Sequence, residues 1–323
     1  MAKIIIGIHG LANKPTEKLL KDWWKYSIKE GLTKNCKLSD PAFKFDLVYW
    51  ADLLYKYPMH HDGSFDFDHL YNNEPYYHAD SKDLKKHADH FGDTLRKYAG
   101  KILGDTVDAL KGSLGIDAFA DFVLKKVLKD MAFYYDPKRK IMDKNKKTGV
   151  ARNVLQDVLK QKILANRGEE ILLIAHSMGS IIAYDVLRDL GRENSGAEVA
   201  HFVTIGSPLG LPHVKGKIIE ERAYDKKASR RVRTPSIVTQ SWTNFADRLD
   251  PVALDSHLSD DYSENSKGIR VQDDLVLNDY RKPKKGKPGT TEMERDPEGK
   301  NNHHKSYGYL RTPELSELVK EFI

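Results

Sequence analysis

At 323 residues, with 40% hydrophobic and 31% charged side chains, the chain has enough apolar material for one large α/β domain and enough polar material for long loops or insertions. The net charge of +6 arises from lysines and arginines interleaved with acids, so no nucleic-acid partner is expected. No apolar run approaches the length of a membrane span, and the single cysteine, Cys36, excludes an internal disulfide and suits a reducing, cytoplasmic compartment.

Lys3 to Ile8, KIIIGI, reads as a buried strand. The apolar part of this opening stretch is too short for a secretory signal, so export is not expected. The strand runs into His9-Gly10-Leu11-Ala12-Asn13-Lys14-Pro15, where a glycine lets the backbone present an N–H donor to a developing oxyanion. That donor is assigned to Leu11, with His9 and Gly10 beside it as substrate contacts. Thr16 to Glu30 places Leu19, Leu20, Trp23, Trp24 and Ile28 at helical spacing, with Thr16 as N-cap and Gly31 as C-terminal stop. Phe43 to Trp50 is the second strand, completing a right-handed βαβ unit.

Residues 51–149 are far too many for an ordinary βα connection and are expected to form an inserted, largely helical cap within a single domain spanning 1–323. The cap opens with an aromatic and histidine-rich stretch that includes Tyr55, Tyr57, Phe65 and Phe67. Later, Phe119, Phe122, Val123, Val127 and Met131 share one helical face, which reads as the cap's own core or as part of an acyl-binding pocket. His60, His61, Asp62 and His69 match no metal-binding spacing, so no metal or cofactor is expected.

Val150 to Leu164 is an amphipathic helix that leads through Gly168 into the most informative stretch of the chain. Ile171 to Ile174 is a short apolar run suited to a parallel strand covered on both faces, and from Met178 the pattern changes to helical spacing. Between them, Ala175-His176-Ser177-Met178-Gly179 forms a nucleophile elbow with alanine in the first small position. Ser177 is the candidate nucleophile, Met178 N–H the second oxyanion donor, and His176 a further substrate contact. Glu198 to Ile205 is the next strand. The Gly206-Ser207-Pro208 that follows lacks an elbow and an ensuing helix, so it is read as a turn lining the cleft.

Ser236 to Phe245 is a strand that delivers Asp247 and Asp250. Asp261 to Ser266 lacks the glycine of a calcium loop, and Asp274 to Tyr280 is read as the last strand. The basic run Arg281 to Lys287 is interrupted by proline and glycine and reads as a solvated loop. It precedes His303 and His304, and an amphipathic helix over Leu315 to Ile323 closes the chain.

Serine on an elbow, then aspartate after a strand, then histidine in a loop is an order that resembles the α/β-hydrolase superfamily. Its marks here are IHGLANKP, AHSMGS, SWTNFADRLDPV and HHKSYGYL. The likeness is to a poorly characterised esterase- and lipase-like branch, and it covers the chain apart from the insertion. It implies a mostly parallel sheet of about six strands with helices on both faces, lacking the superfamily's leading hairpin. It also implies a triad of Ser177, His304 and Asp247, with His303 and Asp250 as alternatives for the last two. The implied activity is hydrolysis of a carboxylic ester, a lipid or other acyl ester among the candidates, through an acyl-enzyme. A thioesterase or acyltransferase would use the same residues, and a binding module on the same fold is the non-catalytic alternative.

Overall fold

The computed structural model describes residues 1–10, 12–59, 76–79, 128–223, 232–280 and 302–323. Six parallel strands form the central sheet: β1 (Lys3–Ile8), β2 (Phe45–Val48), β3 (Glu170–His176), β4 (Val199–Ile205), β5 (Val238–Ala246) and β6 (Val271–Leu275), in the order β6-β5-β4-β3-β1-β2. The order reverses between β1 and β3, and the crevice beyond the carboxyl ends of such a pair is where open α/β sheets bind ligands. His9 and Ser177 follow those two strand ends directly.

Alternation along the strands sorts the core into two layers. Ile4, Ile6, Ile8, Ile171, Leu173 and Ala175 face helices α2 (Ala151–Ala165) and α3 (Met178–Arg192). Ile5, Leu172, Ile174, Val203 and Ile205 face α1 (Glu17–Cys36) and the C-terminal helix α5 (Pro313–Phe322). A fourth helix, α4 (Pro212–Ala223), follows β4. Asp185 on α3 is buried, and it pairs with Arg152 of α2 at 2.7 Å and accepts from the Tyr134 hydroxyl at 2.9 Å. Arg152 and Arg188 also reach Glu221 of α4. These charges are paired because an isolated one at this depth would cost several kcal/mol, and together they fix the helix whose first turn carries the elbow.

Three expectations are corrected. The first helix does not stop at Gly31 but continues to Cys36, ending where Lys37 turns left-handed (φ 60°). Gly31 is instead a contact between helices, since a Cβ there would lie 2.5 Å from Ser316 Oγ. Thr16 stands at the N-cap position as expected, without a side-chain capping bond. The last strand is Val271–Leu275 rather than Asp274 to Tyr280, and Val276 and Tyr280 pack into the core beyond its end. Asp261 to Ser266 contributes a short strand, Tyr262–Ser263, paired with Val232–Arg233, and Asn265 fastens the adjoining turn through Lys267 N, Ile269 N and the carbonyls of Pro235 and Val238.

Of the insertion, the described parts touch both layers. Residues 76–79 lie on α1, where buried Glu30 accepts from Ala79 N at 2.8 Å and from the Tyr76 hydroxyl, and Arg311 bridges Glu30 and Tyr77 O at 3.0 and 2.7 Å. On the other side, residues 128–135 are helical, with Met131 and Tyr134 in the core beside α2. A hairpin of Lys140–Met142 and Thr148–Val150 then leads into that helix. The histidine cluster from His60 to His69, Phe119 to Val127 and the basic run Arg281 to Lys287 lie outside the described residues. Among the described residues no helix is long and apolar enough to cross a membrane.

Candidate active site

Ser177 sits between β3 and α3 with φ 54° and ψ −130°, a conformation rare for a residue with a side chain and characteristic of a strained strand-to-helix turn. Its N–H donates to Ile205 O at 3.1 Å, which ties the turn to the end of β4. Ser180 Oγ donates to Ser177 O at 2.6 Å and meets Ser207 Oγ at 2.7 Å. Ser207 is thus engaged beneath the elbow, and the GSP segment is a turn against the site. Gly10 lies against the serine so closely that a Cβ would fall 2.6 Å from Ser177 Cβ.

His304 Nε2 stands 3.0 Å from Ser177 Oγ, and its Nδ1 lies 2.9 Å from both oxygens of Asp250. With Nδ1–H donating to the carboxylate, Nε2 is left as the acceptor facing the serine hydroxyl. Of the two histidines, His304 is the one the structure brings to Ser177, and the carboxylate against its Nδ1 is that of Asp250, not Asp247. Asp247, first after β5, spends its carboxylate on Leu249 N at 2.8 Å, Asn278 N at 2.6 Å and His303 Nδ1 at 3.0 Å. The chain turns through Asp250 N to Asp247 O at 3.0 Å, and this carries Asp250 round to the serine side. Asp250 does anchor its turn, through Val252 N at 2.8 Å, and bonds His304 as well.

His9 and His176 do not present free rings to a substrate. His9 Nδ1 meets Gly10 O at 2.7 Å, and its Nε2 accepts Trp50 N–H at 3.1 Å. Burial, helped by the Lys14 charge, pushes its pKa down to about 3, so it is a neutral staple between the loop after β1 and the end of β2. His176 Nε2 meets the backbone carbonyl of His304 at 2.8 Å, and burial together with the neighbouring His304 holds it well below the usual imidazole range. Leu11 lies outside the described residues. Met178 N–H is the first of α3, and such a group has no acceptor within its own helix.

Sequence reading gave no individual role to three residues of this assembly. Tyr309 donates to Asp250 Oδ2 at 2.7 Å. Asn278 Nδ2 holds the carbonyls of His303 and Lys305 at 2.6 and 2.9 Å. Gly206 adopts φ 53° where a Cβ would lie 2.7 Å from Asp250 Oδ2 and 3.2 Å from His304 Nδ1. Gly206 left a trace in the sequence as a glycine just after a predicted strand, and Tyr309 only as part of the HHKSYGYL mark.

Among the described residues, no group of three or more potential ligands is placed to hold a metal ion. No curated protein matches the chain. Residues 126–219, which contain α2, the elbow, α3 and the first part of α4, match the model of a family described as "Alpha/beta hydrolase of unknown function (DUF900)". With the six-stranded parallel sheet and the strained turn at Ser177, that match over part of the chain is consistent with the fold of an α/β hydrolase.

Proposed function

We propose that the protein is a serine hydrolase that cleaves a carboxylic ester through an acyl-enzyme, with Ser177 as nucleophile, His304 as base and Asp250 as acid. The observation that carries this reading is the continuous chain from Ser177 Oγ to His304 Nε2 at 3.0 Å and from His304 Nδ1 to Asp250 at 2.9 Å, on a serine held in strained elbow geometry. His304 Nε2 takes the hydroxyl proton as Oγ bonds to the ester carbonyl carbon. The imidazolium then returns that proton to the departing alkoxide, leaving acyl-Ser177 and free alcohol. Water repeats the sequence: His304 accepts its proton, the hydroxyl adds to the acyl carbon, and the proton passes to Ser177 Oγ as the acid leaves. Asp250 keeps the proton on Nδ1 and stabilises the imidazolium. His176 stays neutral, so it adds no competing positive charge beside it.

Met178 N–H serves as an oxyanion donor in this reading and Leu11 N–H as the other, each worth about 3 to 4 kcal/mol of transition-state stabilisation by analogy with such sites. The insertion acts as the cap that selects the acyl chain. Support for that comes from its first residues, which are tied to the loop after β1 by Asn13 Nδ2 to Tyr57 O at 3.0 Å and Met59 N to Lys14 O at 2.8 Å. The lone cysteine fits a reducing, cytoplasmic setting.

The test is labelling with a fluorophosphonate probe, followed by p-nitrophenyl esters of increasing chain length and a thioester of matched acyl group. Labelling confined to Ser177, with turnover of esters, is expected. A folded protein that never labels would leave the chain a binding module on a hydrolase fold.

A further inference from the structure

We propose that Tyr309 is a positioning residue for the acid: its hydroxyl donates to Asp250 Oδ2 at 2.7 Å while accepting Asp247 N–H at 3.0 Å, and so sets the orientation and basicity of the carboxylate that His304 uses. This rests on the serine-hydrolase reading. The ring of Tyr309 is wholly buried beside the catalytic strand ends, and a phenylalanine would fill the same space, so the packing role belongs to the ring and the electrostatic role to the oxygen.

The Asp250 side chain is inaccessible to solvent, so water cannot orient it, and a buried carboxylate must be held by protein donors. Oδ1 accepts Val252 N–H at 2.8 Å and lies 2.9 Å from His304 Nδ1. Oδ2 lies 2.9 Å from the same nitrogen and accepts from Tyr309. The backbone bond and the phenol therefore grip opposite oxygens, and the imidazole sits symmetrically across them. Gly206 makes the room: a Cβ there would lie 2.7 Å from Asp250 Oδ2 and 3.1 Å from the Tyr309 ring. Burial and the two aspartates push the phenol well above its ordinary value, so it keeps its proton and remains the donor.

Among the described residues, the charged and titratable groups around this point are these. His304 is faced by Asp250, Ser177 and His176, whose ring centroid is 4.7 Å away. Tyr309 is faced by Asp250, by Asp247 and by His176 at 6.5 Å. Asp247 in turn holds His303, while Lys14 and Lys305 act on His176. Removing the phenol oxygen takes one donor from Asp250. A carboxylate with fewer donors is more basic, stabilises the His304 imidazolium better and raises the pH at which His304 loses its proton.

In Tyr309→Phe the carboxylate is also no longer held square to the imidazole, so we expect kcat to fall about tenfold with little change in KM, while the acid limb of kcat/KM moves up by about half a pH unit. Titration of His304 by 15N NMR should show the same upward shift without substrate, so this arm stands apart from whether the ester reading holds, which Ser177 labelling decides. Tyr307→Phe, a hydroxyl lost from the same helical turn (Ser306–Tyr309), should leave the limb in place. In an Asp250→Asn background the Tyr309→Phe effect should vanish. A variant that loses thermal stability while the limb and the His304 titration stay put, or that keeps its full effect without the Asp250 charge, overturns the proposal. Should Tyr309→Phe fail to fold, the wild-type Tyr309 hydroxyl proton gives the answer: its resonance must shift in step with His304 titration, and one that does not move overturns the proposal equally.

Discussion

His303 and His304 are adjacent, each meets a carboxylate through Nδ1 at 3.0 and 2.9 Å, and both carboxylates come from the turn after β5. Yet only the His304–Asp250 pair is aimed at Ser177, with Nε2 3.0 Å from its Oγ. The other pair is a brace: Asp247 is shared among His303, Leu249 N and Asn278 N, and Asn278 Nδ2 in turn holds the carbonyls on either side of His304. The contrast teaches that a histidine–aspartate pair is not a catalytic base by composition. What distinguishes the pair at Ser177 is the direction in which the backbone projects it, and the bracing pair is part of what fixes that direction.

The sharpest way to break this comparison is to remove each imidazole in turn. His304→Ala should cost about three decades of kcat or more, as should Ser177→Ala, while His303→Ala should stay within about tenfold of wild type. Steady-state kinetics at matched pH decides it, and comparable losses at both histidines would erase the distinction drawn here. The carboxylates come next. Asp250→Asn should lose about two to four decades, because an amide cannot hold the proper tautomer or stabilise the imidazolium. Asp247→Asn should lose about tenfold or less in activity but unfold at lower temperature. The reverse order of kcat losses, in proteins of equal stability, would return the acid's role to Asp247.

A smaller change can be aimed at one pair alone. Gly206→Ala should lower kcat by about tenfold, since its methyl would enter the space held by Asp250 Oδ2 and the left-handed backbone there disfavours a side chain. The His303–Asp247 pair should be untouched. A crystal structure of the variant with both pairs unmoved, together with full activity, would show that the close approach is not needed.

The sheet and the elbow were legible because buried parallel strands are written as short apolar runs and the change from strand to helical period falls at Ser177. The edge strand was not, because VQDDL has the polar alternation of a sheet edge while the apolar residues after it, Val276 and Tyr280, belong to core packing. Within the site, chain order gave the serine and left two acids and two histidines. Three residues apart in a tight turn, Asp247 and Asp250 point different ways, and only the hydrogen bonds of Leu249, Val252 and Asn278 tell which way. His9 and His176 read as substrate contacts because they flank the candidate nucleophile, Ser177. The folded chain uses their rings on its own backbone.

His9 sharpens the comparison from the other side, as a buried imidazole with backbone partners where His303 and His304 have carboxylates. With Gly10 O on one nitrogen and Trp50 N–H on the other, it has no anionic partner among the described residues, and burial with the Lys14 charge brings its pKa down to about 3 from 6.5. The unfolded chain binds a proton there below about pH 6.5 and the native one does not, so the stability contributed is complete above 6.5 and is lost as pH falls from 6.5 towards 3. The slope is up to about 1.4 kcal/mol per pH unit for each such group. His176, also held low by burial, adds to it with the same sign. His9→Gln keeps an acceptor for Trp50 N–H but cannot take up a proton. Relative to wild type it should be somewhat less stable at pH 7.5 and lose stability less steeply between pH 6.5 and 5, by about one proton's worth, with kcat at neutral pH little changed. Urea unfolding at several pH values measures the slope directly, and equal slopes in the two proteins would mean that His9 carries a proton in the native state after all.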